Sequence, residues 1–139
     1  MNTQYQPLVK LKKREVDETT KYISKLEKYQ KDVEEVITNL KIEMQQNSLP
    51  TYGNLNDLQQ HRSIQHAYIY QLRALDEEIN KVTQTIASAQ AKAKMQNIEY
   101  EKYLHLDKNE RLKARLRLEK LEQKSLDEIG NILFFTQQR

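Results

Sequence analysis

Three histidines, His61, His66 and His105, are the residues of this chain best suited to hold a metal or move a proton. His61 and His66 stand five apart. They therefore miss the i, i+4 spacing that stacks two imidazoles on one face of a zinc-binding helix, and they read as solvated or edge histidines. There is no cysteine, so disulfides and thiolate metal sites are excluded. Asp and Glu are abundant but interleaved with Lys and Arg, the pattern of a salt-bridged solvent face. A carboxylate becomes a general acid or base when a cleft or burial shifts its pKa, and no Gly-rich loop is present to cradle a phosphate. The chain is expected to be no enzyme, with no cofactor, no metal and no small-molecule substrate. Its chemistry is that of binding.

The strongest binding signal is the segment 108–124, where seven Lys or Arg meet three Glu. A nucleic-acid helix is one reading of it. Leucines interleave with the arginines, however, acidic residues intrude, and no zipper follows to build a basic-zipper dimer. A docking surface that combines charge with apolar contact fits better, because Leu112, Leu116 and Leu121 need burial somewhere. No nucleic acid is expected as partner.

These side chains must be carried by helices. With 139 residues, two Gly, two Pro and 31% charged residues, the chain has too few turn formers for a sheet fold. It is rich in good helix formers instead, and its mean hydropathy of −0.91 implies a thin core. The net charge of +3 and pI near 9.0 permit an acidic partner without requiring nucleic acid. No apolar run suits a membrane span or a signal peptide, so a cytoplasmic protein is expected.

Pro7 suits a first helical turn. Pro50, Gly53 and their Asn neighbours make one loop, after which Asn54 or Asn56 can cap a second helix. The reading is a single coiled-coil domain over 1–139, with a helix at about 7–46, a loop at 47–55 and a helix at about 56–135. A heptad frame runs through Val9, Val16, Ile23, Gln30, Ile37 and Met44, alternating with Lys12, Thr19, Leu26, Val33 and Leu40; it is weak at 9–19. The second helix has Leu58, Gln65, Leu72, Ile79, Ile86, Ala93 and Tyr100, alternating with His61, Tyr68, Leu75, Val82, Ala89, Gln96 and Tyr103. The fold class is all-α: a two-helix antiparallel coiled-coil hairpin with a longer, overhanging C-terminal helix. Pairing symmetric about residue 51 places Ile37 near 65–68, Ile23 near 79–82 and residue 30 against 72.

The first helix, roughly 60 Å long, covers only about the first 40 residues of the second, roughly 120 Å long. Past Tyr103 the frame reaches Asp107, Glu110, Ala114 and Arg117 and is expected to fail. Towards the loop, Ile42 and Tyr70 fall on the outer face and Ile64 and Ile69 at its margins, an apolar spot suited to a partner.

The run Tyr100-Glu101-Lys102-Tyr103, then Arg111-Leu112-Lys113-Ala114-Arg115, then Leu121-Glu122-Gln123-Lys124-Ser125-Leu126-Asp127-Glu128 resembles the flagellar export protein FliJ family, whose hairpin the injectisome stalk proteins share. The resemblance implies a non-enzymatic component of flagellar type III export, like the γ subunit of rotary ATPases. Its partners would be a hexameric export ATPase, the cytoplasmic domain of the export gate membrane protein and export chaperones, at the inner membrane of the flagellar base. On that reading Arg111, Lys113, Arg115, Arg117, Lys120 and Lys124, with Lys10, Lys12, Lys13 and Arg14, dock the ATPase. Ile42, Ile64, Ile69 and Tyr70 contact the gate. A generic coiled-coil scaffold or helical chaperone is the alternative, ahead of a basic-helix nucleic-acid binder.

Overall fold

Proline near the start, an Asn-rich stretch in the middle and an unbroken run of helix formers between them set the element boundaries. The computed structural model describes residues 2–47 and 53–137. They form α1, Gln6–Gln46, and α2, Leu55–Gln137, with no strand among the described residues. The two helices pack against each other in antiparallel pairing, as the all-α hairpin requires. Pro7 sits in the first turn of α1, where its missing N–H costs nothing.

α2 opens on a reciprocal cap. Asp57 N–H donates to Asn54 Oδ1 at 3.0 Å, and Asn54 N–H donates to Asp57 Oδ2 at 3.1 Å. Gly53 leaves room for that carboxylate, since a Cβ there would stand 2.7 Å from Asp57 Oδ2. α1 ends with Asn47 N–H on the Glu43 carbonyl, and the Asn47 carbonyl accepts Gln65 Nε2 from α2 at 3.0 Å. The centre of the expected loop, 48–52, lies outside the described residues.

The chain divides into two compact units. The first is Asp17–Lys94. Its seam follows the heptad frame: Val33, Ile37, Val82, Ile86 and Ala89 are buried, as is Thr19. Ile23, Leu26, Leu40, Leu72, Leu75 and Ile79 are half-buried. Gln30, a polar seam residue, donates to Thr83 Oγ1 at 3.0 Å, and Thr83 passes a hydrogen bond to the Ile79 carbonyl at 2.8 Å. Beside the seam Tyr29 Oη donates to Glu78 at 3.1 Å.

These contacts correct the expected register. Residue 30 faces Thr83 rather than 72, and Asn47 meets Gln65. The pairing is displaced along α2 by about one and a half heptads. Symmetry about residue 51 does not decide the register because the buried knobs do: Val33 and Ile37 must meet the partners they fill against. Residues 53–60 are accordingly all exposed.

The second unit joins the residues up to Val16 with those from Met95 onward. Here the frame expected to be weak holds. Val9, Lys12 and Val16 are half-buried, as are Ala93's successors Gln96, Tyr100 and Tyr103. The seam also continues past Tyr103, where it was expected to fail: Asp107 is buried and Glu110 and Ala114 are half-buried. Polar residues can occupy these positions because they bond one another. Thr3 Oγ1 donates to Asp107 Oδ1, and Arg111 Nε donates to Asp107 Oδ2 at 3.0 Å. Pairing thus reaches Ala114, beyond the roughly 40 residues expected, and every described residue from Arg115 to Gln137 is exposed.

Candidate partner-binding surfaces

In the first unit, Ile42, Ile64, Ile69 and Tyr70 are all exposed, Tyr70 at 78%. Ile64, Ile69 and Tyr70 share one stretch of α2, and the observed register brings Ile42 of α1 to about the same level. Ile42 and Tyr70 both take the outermost heptad position, which in a two-helix pair points to opposite sides. The anchors therefore lie around the pair rather than in one flat patch. Leu55 and Leu58, on the unpaired first turns of α2, are also exposed and extend the apolar surface in this direction. The frame had placed Leu58 in the seam, which concealed it.

In the second unit the ten basic residues separate into groups. Lys10, Lys13 and Arg14 are exposed. Lys12 is half-buried: its ammonium meets Glu99 at 2.8 Å and Glu15 at 3.6 Å. The hydrogen bond to Glu99 raises the Lys12 pKa above its ordinary value, and the same bond lowers that of Glu99. Arg111 is half-buried and bound to Asp107. It lies roughly 18 Å further along α2 than Glu99, at 1.5 Å per residue. The basic residues of α1 and those after Arg111 are thus at different levels.

Continuous helix sorts the remaining cations. Lys113, Arg117, Lys120 and Lys124 follow an i, i+4, i+7, i+11 spacing and form one exposed basic stripe. Arg111 and Arg115 fall on a different side. Leu118, Leu121, Leu126, Ile129, Ile132 and Leu133 make an apolar stripe beside the basic one, which it borders at Leu121, all of them exposed. Spacing alone carried this division, but it becomes visible only once the helix is known to run unbroken to Gln137.

Among the described residues no group of three or more His, Asp or Glu could hold a metal ion, and His66 and His105 are exposed. The depression along Lys31, Glu34, Glu35, Thr38 and Asn39 is a shallow feature of one helix face. Among the described residues no helix is long and apolar enough to cross a membrane.

The family model described as Flagellar FliJ protein matches residues 1–139. No curated protein and no solved structure matches the chain.

Proposed function

From the membership of this chain in the flagellar FliJ family, a component of the flagellar export apparatus, we propose that it works as a γ-subunit-like stalk. It binds and stimulates the hexameric export ATPase and links it to the export gate and to export chaperones. It carries no catalysis of its own and acts in the cytoplasm, peripheral to the inner membrane at the flagellar base.

The observation that carries this reading is the unpaired end of α2. From Arg115 to Gln137 the helix has no partner surface of its own, and the basic stripe Lys113, Arg117, Lys120 and Lys124 lies along it. Long cationic side chains suit a contact with several similar subunits, because they engage acidic positions without demanding one fixed fit. Lys10, Lys13 and Arg14 add exposed charge to the same unit, and Lys12 and Arg111 join them only in so far as their carboxylate partners release them. Arg115 stands beside the leucines and contributes from the other side of the helix. The apolar anchors Ile42, Ile64, Ile69 and Tyr70 contact the gate, since buried aromatic and aliphatic side chains dominate interface energies.

The test is charge reversal of Arg117, Lys120 and Lys124 to Glu, assayed by stimulation of the cognate export ATPase across a salt series. Slower association and a flatter salt dependence are expected. Stimulation equal to wild type at every salt concentration, in a helical variant, would remove the stripe's role. For the gate, Ile69→Ala with Tyr70→Ala is expected to weaken binding to its cytoplasmic domain by calorimetry while helicity is retained.

A further inference from the structure

The basic stripe leaves the leucine stripe beside it on the same helix unexplained. Between Arg115 and Gln137 nine large apolar side chains are exposed: Leu116, Leu118, Leu121, Leu126, Ile129, Ile132, Leu133, Phe134 and Phe135. Leu118, Leu121, Leu126, Ile129, Ile132 and Leu133 share one side of the helix, with Leu116, Phe134 and Phe135 off it, and a contiguous apolar side of this kind is rarely left to water. A core runs through it at helical spacing, with Leu118, Leu121, Ser125, Ile129 and Ile132 separated by three, four, four and three residues. That pattern is symmetric about Ser125. Turned end for end it falls on itself, with Leu118 against Ile132, Leu121 against Ile129 and Ser125 against Ser125.

The charges have the opposite symmetry. Residues 115–124 hold four cations, Arg115, Arg117, Lys120 and Lys124, and two carboxylates, Glu119 and Glu122, for a net charge of +2. Residues 125–139 hold Asp127 and Glu128 against one cation at the far end, Arg139, for a net side-chain charge of −1. A parallel pair of these segments would set like against like. An antiparallel pair about Ser125 brings Lys120 and Lys124 of one copy within about two residues of the level of Glu128 and Asp127 of the other, with Glu122 level with Glu128 as the one like-charge pair.

We infer that the unpaired segment 115–137 binds a second copy of this chain, antiparallel, about a two-fold axis at Ser125. Such a contact is isologous and closes on itself, so it yields a dimer and not a filament. Its apolar core is the leucine side of the helix, but the charges that favour the antiparallel arrangement include Arg117, Lys120 and Lys124 of the basic stripe, so pairing with a second copy and ATPase docking draw on the same cations.

The absence of native cysteine makes the test direct. Sedimentation equilibrium of the full chain is expected to show a monomer–dimer equilibrium that weakens as salt is raised. Ser125→Cys is expected to form an interchain disulfide readily, since the two thiols meet on the axis. Leu118→Cys is expected to form one far more slowly, because its copies stand roughly 21 Å apart along the pair. Leu121→Glu with Ile129→Glu, both exposed in the single chain, is expected to abolish the dimer with ellipticity retained. A chain that stays monomeric at every concentration overturns the inference and assigns the leucines to a different partner. Leu118→Cys cross-linking as fast as Ser125→Cys overturns it in favour of a parallel pair.

Discussion

Arg111 Nε donates to Asp107 Oδ2 at 3.0 Å, and the carboxylate it holds is 7% exposed in the seam of the second unit. The same carboxylate accepts the Thr3 hydroxyl from the other side of the pair. A buried charge is tolerated when it is paired and hydrogen-bonded, and it becomes costly when a partner is removed. Arg111→Ala is therefore expected to destabilise the chain by about 1–3 kcal/mol, more than an exposed arginine would. Thr3→Val, Asp107→Leu and Arg111→Leu together, which replace the whole polar node by apolar side chains, are expected to be neutral or stabilising. Thermal melts of the two variants decide it. Equal melting of Arg111→Ala and wild type would mean that the pair contributes nothing.

The register is checked by cross-linking. Gln30→Cys with Thr83→Cys is expected to join within one chain under a short thiol-reactive linker, as the native side chains are 3.0 Å apart. Gln30→Cys with Leu72→Cys is expected not to, because residue 72 lies roughly 16 Å from the level of Thr83 along α2. Efficient joining of 30 to 72 would restore the pairing symmetric about residue 51.

The thin core concentrates its stability in few residues. Ile37 and Ile86 are buried, whereas Leu75 and Ile79 are half-buried. Ile86→Ala is expected to cost about 2–4 kcal/mol, and Leu75→Ala less, in denaturant unfolding. A larger loss from Leu75→Ala would shift the centre of the core away from Val82, Ile86 and Ala89.

Stability should depend on pH through Lys12 and Glu99. The Lys12 pKa lies above its ordinary 10.5, through the hydrogen bond to Glu99. Its contribution is complete below 10.5 and is lost as pH rises through the raised value. The Glu99 pKa lies below its ordinary 4.5, through the hydrogen bond to Lys12. Its contribution is present above 4.5 and is lost as pH falls through the lowered value. The pair thus acts between these limits. Glu99→Gln is expected to lower the melting temperature slightly at neutral pH, with the difference from wild type shrinking at both extremes and in high salt.

Much of this protein was legible in its residues one stretch at a time. Pro7, the Asn54 cap and the absence of other breakers marked the two helices to within about two residues, because helix formation is a local matter of propensity and capping. The three-four spacing from Val9 to Met44 and from His61 to Tyr103 marked the buried side of each, because a helix repeats its face every few residues whatever it packs against. The apolar and basic residues near the ends were visible too. Their sorting into a basic stripe and a leucine stripe waited only on helix continuity.

Register, the reach of the seam and the availability of each cation were decided by the tertiary structure. Register depends on which knobs of α1 meet which holes of α2, a contact between residues far apart in sequence that loop symmetry cannot supply. Asp107 reads as the end of a hydrophobic frame until Thr3 is brought across from the other helix to bond it. Lys12 and Arg111 read as free docking charges until Glu99 and Asp107 are found beside them. A side chain's type and spacing are properties of the chain, but whether its charge is spent inside the fold or left for a partner depends on what the fold places within about 3 Å of it.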